Sequence, residues 1–278
     1  YSFANGDPVN FVDPTGRGAT EGNPSTTVNP LGAVVRGAFR GVGNLLNTSG
    51  SHISEIGRQL LGGNLVTATR LAYGLPFSIL QGDAFDSQTN IDPTSQHLSI
   101  NGIGTNVEGR ERIAQTVNAS FDVSNTNAVV NDSHFWGLGD LIQIIGEEFG
   151  AITIPSIRAA ATARQMSGNI SWIAHSQGTS ISAGAFDLLS DTKLSSIDFI
   201  GFGGQEFVNG RNTGLKSAHN FSNPGDFVPH ISPGNLINRI GKENLQYLPN
   251  QDYSGLDRLM FRPHFFGSDY DNYLIDNY

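Results

Sequence analysis

Ile170-Ser171-Trp172-Ile173-Ala174-His175-Ser176-Gln177-Gly178-Thr179-Ser180-Ile181-Ser182-Ala183-Gly184-Ala185-Phe186-Asp187-Leu188-Leu189 is the stretch that decides how this chain folds. Its first five residues form an apolar run of strand length with an aromatic and β-branched side chains, which predicts a buried strand over Ile170–Ala174. In the second half, Ile181, Ala183, Ala185, Phe186, Leu188 and Leu189 predict an apolar helix over Ser180–Leu189. A small residue two before Ser176 and a glycine two after it let the backbone turn sharply from strand to helix. A serine at such a corner sits in strained backbone geometry with its hydroxyl presented outward. Ser176 is the only serine of the chain with Gly or Ala at −2 and Gly at +2. The same residues could form a plain glycine-rich turn at a helix start, and it is the strand before and the helix after that favour a nucleophile.

Outward from this point the pattern repeats. His97–Asn101, Asn127–Asn131, Ile197–Phe202 and Ser217–Ser222 are strand-like. Val107–Thr116, Leu138–Phe149 and Ile154–Met166 are helix-like, and a last helix opens near Ser268-Asp269-Tyr270-Asp271, a capping box. Alternation of this kind implies an α/β fold, a mostly parallel sheet with helices on both faces. Upstream, Val34, Val35, Phe39, Val42, Leu45 and Leu46 predict a helix. A second helical stretch runs from Ile53 to about Leu80, with Ser51 or Ser54 as caps and a break at Gly62-Gly63. Residues 1–17 are dense in turn residues. The expected division is 1–17, a turn-rich border; 18–95, a linker and helical lid-like segment; and 96–278, a catalytic domain.

Composition narrows the functions. The 278 residues carry a net charge of −9 with no cysteine. An acidic chain is a poor partner for nucleic acid, whose phosphates need a basic face. The lack of thiols removes disulfides, thiolate zinc sites and cysteine nucleophiles. Residues 1–80 hold five Arg and four acids (5 − 4 = +1), so 81–278 carry −9 − 1 = −10. No run reaches the roughly 20 apolar residues that span a bilayer. There is no dinucleotide or phosphate-loop glycine pattern and no H-x-x-x-H pair, so neither a cofactor nor a metal is expected.

A serine nucleophile needs a base, and the base an orienting acid. Three histidines follow Ser176. His219 falls inside a strand candidate. His264 lies in Arg262-Pro263-His264-Phe265-Phe266-Gly267, between apolar Leu259-Met260-Phe261 and the last helix, where a base belongs; His230 is the alternative. For the acid, Asp226 sits in the turn Asn223-Pro224-Gly225-Asp226 after a strand, whereas Asp198 opens one. Asp226 and His230, four residues apart, could instead form a local pair. An oxyanion would need two backbone N–H donors. Gln177, next to the nucleophile, supplies one. The loop Ile100-Asn101-Gly102-Ile103-Gly104-Thr105-Asn106, which could also be a plain flexible turn, fits the other, assigned to Ile103, with Gly102, Gly104, His134 and His175 as expected pocket residues.

Two resemblances follow from these residues. Residues 1–16, with Pro8, Asp13, Pro14 and Gly16 in a Pro, four residues, Asp-Pro, one residue, Gly pattern, resemble the end of a rearrangement-hotspot (Rhs) repeat core. Arg17 departs from that family's usual Leu, which bears on self-cleavage at the border. This resemblance implies a variable toxin tip carried behind the Rhs core. Such a tip would be delivered into a target cell, often by type VI secretion machinery, and paired with a cognate immunity protein. A chain that opens at Tyr1 with no methionine or leader agrees with a C-terminal fragment. The second resemblance covers about 96–278. Ile100-Asn101-Gly102-Ile103-Gly104-Thr105, Ala174-His175-Ser176-Gln177-Gly178 and Pro263-His264-Phe265 are similar to α/β-hydrolases of the lipase and phospholipase type. It implies nucleophile Ser176, acid Asp226 and base His264 acting on membrane phospholipid. A membrane-disrupting tip without enzymatic activity, and an esterase or thioesterase on a soluble substrate, are the competing functions.

Overall fold

A computed structural model describes residues 49–81, 91–102, 107–129, 131, 144–147, 149–209, 213–226, 228–231, 245–248 and 269–278. The chain divides into two compact units, 1–43 and 44–278, and every described residue belongs to the second. The turn-rich border at 1–17, the helix expected over 34–46 and the apolar segment 259–261 lie outside the described residues.

The sheet has six parallel strands: β1 (His97–Ile100), β2 (Asn127–Val129), β3 (Ile170–His175), β4 (Ile197–Phe202), β5 (Ser217–Ser222) and β6 (Leu245–Tyr247), in the spatial order β2-β1-β3-β4-β5-β6. The α/β class expected from the alternating pattern is the observed one. β6 was not legible, because three residues bounded by polar chain carry too little periodicity to register. Helices run between the strands: α1 (49–61), α2 (Leu65–Gln81), α3 (Val107–Ser120), α4 (Ile154–Gln165), α5 (Gly178–Phe186), the short α6 (Asp191–Leu194) and α7 (Val228–Ile231), and α8 (Asp269–Asn277).

Strand side chains alternate between the two faces of the sheet. Leu98, Ile100, Trp172 and Phe199 point one way. They pack with Ala159, Ala160 and Ala163 of α4 and Ile181, Ala185 and Phe186 of α5. Ile173, Ile200, Phe202 and Phe221 point the other way, onto Ile113 and Val117 of α3 and Tyr270 and Leu274 of α8. Both faces are thus covered, as a parallel sheet requires. Trp172 is wholly buried and donates its indole N–H to Ser182 Oγ at 2.8 Å, so the ring binds α5 to β3 by a polar as well as an apolar contact.

The break at 62–64 separates α1 from α2, with Gly63 at φ +79°. Ser51 and Ser54, expected as caps, lie inside α1 instead. The hairpin is docked by polar chemistry as well as by Leu71. The Ile154 N–H donates to Ser78 Oγ (3.0 Å), whose hydroxyl reaches His52 Nε2 (3.0 Å), while His52 Nδ1 meets the Leu71 carbonyl (3.1 Å). Since Ser78 already accepts from Ile154, its proton points to Nε2, which makes the imidazole neutral with its hydrogen on Nδ1.

Burial lowers the His52 pKa to about 4, against a small upward pull from the Leu71 carbonyl. Above pH 6.5 the ring is neutral in both folded and unfolded chains, and its contribution is intact. As pH falls from 6.5 towards 4, the unfolded chain takes up a proton that the folded one refuses, so stability is lost. Over that window the loss is about 3 kcal/mol. Denaturation midpoints measured between pH 7 and 4 should therefore fall more steeply for wild type than for His52→Gln. Equal slopes would contradict this assignment.

A second tie joins α1 to α4. Arg164 donates to both oxygens of Glu55 (2.9 and 3.1 Å) and also to the Leu188 carbonyl. Burial pushes the Glu55 pKa up, but Arg164 and Gln59 hydrogen bonds and the Arg164 and Arg58 charges together hold it below its ordinary value. Removing the guanidinium leaves the buried carboxylate with Arg58 (3.2 Å) and Gln59 (3.0 Å) as its partners. Arg164→Ala should cost about 1–3 kcal/mol, read in a denaturation midpoint. These contacts place Glu55 of α1 beside the last turn of α4 and the residues that follow α5.

Candidate active site

The strand order reverses direction once. From β1 the chain moves to β2 on one side, and then crosses to β3 on the other. In an open parallel sheet such a reversal leaves a crevice at the carboxyl ends of the two diverging strands, here β1 and β3. β3 ends at His175 and α5 begins at Gly178, so the corner between them consists of Ser176 and Gln177.

Ser176 adopts φ +56°. Only Asp122, at φ +50°, shares a positive φ among the described residues other than glycine. A side chain in this region costs on the order of 1–3 kcal/mol and persists only where the surroundings hold it. Here the Ser176 N–H donates to the Phe202 carbonyl (2.9 Å). Its carbonyl accepts from Thr179 N (3.1 Å), Thr179 Oγ1 (2.8 Å) and Gln205 N (3.3 Å). Two glycines make the corner fit. A Cβ on Gly178 would lie 2.6 Å from the Ile100 carbonyl oxygen, and one on Gly102 would lie 2.6 Å from Ser176 Cβ and 3.1 Å from its Oγ. The Gly102 backbone therefore lies directly against the serine side chain, which is itself 2% exposed.

Asp226 follows β5 in a turn, 1% exposed. Its N–H donates to the Asn223 carbonyl (2.9 Å), Oδ1 accepts from Val228 N (3.0 Å), and Oδ2 accepts from the Tyr270 hydroxyl (2.7 Å). Register places it relative to Ser176. His175 pairs with Phe202, and Phe202 with Phe221, so Gly203 comes level with both Ser176 and Ser222. Ser176 and the turn that follows Ser222 therefore flank the end of β4, two strand spacings apart, and Asp226 Oδ2 lies against Gly203 at that end. The arrangement leaves a serine and a carboxylate on either side of one strand end.

Gln177 caps α5, so its backbone N–H has no acceptor in the first helical turn. Its side chain is fixed in a buried network: Asn131 Nδ2 donates to Gln177 Oε1 (3.0 Å), Gln177 Nε2 to Glu147 Oε2 (3.2 Å), and Thr153 Oγ1 to Glu147 Oε1 (2.8 Å). Beside it, Asn101 follows β1 and Asn131 follows β2, each with a buried Oδ1 that has no hydrogen-bond partner among the described residues. The same end of the sheet thus presents serine, carboxylate, helix-cap N–H and polar carboxamides.

Of the residues expected in the site, Ser176, Gln177, Gly102, His175 and Asp226 all lie at the carboxyl ends of β1, β3 and β5. His175 is buried with its ring 5.7 Å from that of Tyr270. His264, Ile103, Gly104 and His134 lie outside the described residues, as does the side chain of His230, whose backbone belongs to α7. His219 is an exposed residue in the middle of β5, and Asp198 lies near the start of β4, bonded to Lys216 (2.6 Å) and Ser217 (2.6 Å). The strand position that set Asp198 aside agrees with its place at the far end of the sheet. Tyr270, Glu147 and Asn131 were not foreseen. Tyr270 reads in sequence as part of a helix cap, and nothing nearby signals a partner 44 residues upstream.

A cleft of about 370 Å³ lined by Asp92, Ser95, His97, Asp122 and Asn125 lies at the amino-terminal end of β1, opposite Ser176. The Asp92 carboxylate is consumed internally. Asp92 accepts from Thr94 N, Thr94 Oγ1 and Asn125, and the Thr94 hydroxyl chiefly lowers its pKa to about 2. Among the described residues no cluster of three or more His, Asp or Glu could hold a metal ion, and no helix is long and apolar enough to cross a membrane. Comparison with protein-family models, curated proteins and solved structures found no match.

Proposed function

We propose that this protein is a serine carboxylic ester hydrolase of the α/β-hydrolase kind, acting on membrane phospholipid through Ser176, His264 and Asp226. The observation that carries the reading is Ser176, held at φ +56° between β3 and α5 beside Gly102, with Asp226 across the end of β4. Ser176 Oγ attacks the ester carbonyl carbon while His264 removes its proton, and the carbonyl π electrons move to oxygen. The Gln177 and Ile103 N–H groups hold that oxyanion. Collapse expels the alcohol, which takes the proton from His264 and leaves an acyl group on Ser176. Water then repeats the sequence and releases the fatty acid. Asp226 orients the imidazole and stabilises its charged form. His264 and Ile103 enter this scheme on the sequence resemblance.

The lipid substrate and delivery as an Rhs toxin tip with a cognate immunity protein rest on the same resemblances. Full-length protein added to phosphatidylethanolamine and phosphatidylglycerol vesicles should release fatty acid, and the Ser176→Ala variant should not. Hydrolysis of monomeric esters in preference to vesicles or micelles would point to a soluble-substrate esterase.

A second reading has its own observation. The α1–α2 hairpin exposes Ile53, Leu60, Leu61, Leu65 and Val66, and its one acid, Glu55, is buried. Such a face suits an anionic lipid surface. Vesicle leakage that is equal in wild type and Ser176→Ala, without fatty-acid release, would favour membrane disruption over hydrolysis.

A further inference from the structure

We propose that Tyr270 is a positioning residue for the acid: its hydroxyl fixes the Asp226 carboxylate in the orientation from which it serves the catalytic base. The inference rests on the reading of Ser176 and Asp226 as nucleophile and acid, and adds a residue that no motif assigns. Tyr270 is wholly buried on α8, and its hydroxyl donates to Asp226 Oδ2 at 2.7 Å. The Tyr270 hydroxyl oxygen also accepts from the Asn223 N–H at 3.1 Å. One hydroxyl therefore joins the turn that carries the acid to the carboxylate itself. With Val228 N–H on Oδ1, each carboxylate oxygen has a donor of its own, so the plane of the group is fixed at two points.

The backbone around this contact is shaped to admit it. Gly203 sits at φ +55° at the end of β4, and a Cβ there would fall 2.7 Å from Asp226 Oδ2 and 3.0 Å from the Tyr270 hydroxyl. Any side chain at 203 would separate the tyrosine from the acid. The ring is held from three sides. His175, the residue before the nucleophile, has its ring 5.7 Å away, Phe202 of β4 lies 5.5 Å away, and Leu274 packs one turn along α8. α8 is thereby a bracket whose first turn reaches the acid and whose second turn is core. Among the described residues of these elements, His175 from β3 is the titratable neighbour of the Tyr270 ring, and Asp271, next along α8, lies 3.7 Å from Arg112.

An acid that loses one of two fixed points can swing, which weakens its hold on an imidazolium and alters the pH at which the base titrates. Deleting one hydrogen bond to a charged group predicts about a tenfold slower reaction at Ser176. The readout is the second-order rate at which an alkyl fluorophosphonate phosphonylates Ser176, followed from pH 5 to 9, a reaction that needs no lipid substrate. Tyr270→Phe should label about tenfold more slowly than wild type, with the acid limb of its profile displaced. Leu274→Ala loosens the same helix without touching Asp226, and should keep the wild-type profile at temperatures where it is folded. Wild-type rates and limb in Tyr270→Phe, or equal changes in both variants, would overturn the positioning role while leaving Ser176 in place. No labelling of wild type at Ser176 would overturn the nucleophile and the positioning role together.

Discussion

Ser176→Ala should lower lipid hydrolysis by on the order of 10⁴- to 10⁶-fold, with the fold retained. The hydroxyl is the only group the substitution removes. The hydrogen bonds that pin the corner belong to the backbone of 176 and to Thr179, Phe202 and Gln205, and all survive. Substrate binding should change little, so the loss should fall on kcat and leave KM near its wild-type value. Ser176→Gly sharpens the test. It removes the same hydroxyl and also relieves the strain of φ +56°, which should raise stability by about 1 kcal/mol. A variant that is more stable and inactive would mark this residue as one whose geometry serves chemistry at a cost in stability. A Ser176→Gly protein less stable than wild type would contradict the strain assigned to it.

The second large effect is at the acid. Asp226→Asn keeps the shape of the side chain, yet should lower kcat by on the order of 10⁴-fold. Two donors on the carboxylate among the described residues, the Val228 N–H and the Tyr270 O–H, require acceptors. A carboxamide presents only one acceptor oxygen, so its NH₂ must face one of them. If it faces Tyr270, the hydroxyl must turn its proton away while still accepting from Asn223 N. If it faces Val228, two N–H groups oppose each other. Either way the group is re-oriented and the imidazolium loses its counter-charge. Stability should fall as well, by about 1–3 kcal/mol for the unsatisfied buried donor. Unchanged kcat in a folded Asp226→Asn protein would remove Asp226 from the reaction and leave it as a turn residue.

The strand–helix period carried most of the fold. Mostly apolar runs such as Ile170–Ala174 and Ile197–Phe202, in which only Ser171 and Asp198 are partly exposed, read as strands of a parallel sheet covered on both faces. Boundaries moved where local chemistry outweighed periodicity. α5 starts at Gly178, three residues before its first apolar position Ile181, because the corner at Ser176 hands the backbone straight into helix. Ser51 and Ser54 could cap a helix, but with Glu55 and His52 held in the core the helix runs through both serines. β6 is three residues long, too short for any period to appear.

Within the site, legibility followed sequence distance. Ala174, Ser176 and Gly178 are local, and their spacing alone describes a corner. Asp226 could be placed because its turn follows a strand, and the end of a parallel strand always faces the same side of the sheet. Tyr270 and Glu147 act through contacts 44 and 30 residues away in the chain, on Asp226 and Gln177. Only packing reveals such partners, since a tyrosine opening a terminal helix looks the same whether or not it meets an acid. The value of Gly203 was hidden for the same reason: the glycine is needed for what lies across from it, not for the strand that it ends.

The most direct measurement is the location of the covalent adduct formed by an alkyl fluorophosphonate on the full-length protein, mapped by peptide mass spectrometry. A nucleophile held at the β3–α5 corner predicts one adduct, on Ser176, and none in Ser176→Ala. An unmodified wild-type protein, or an adduct on any other residue, would contradict it.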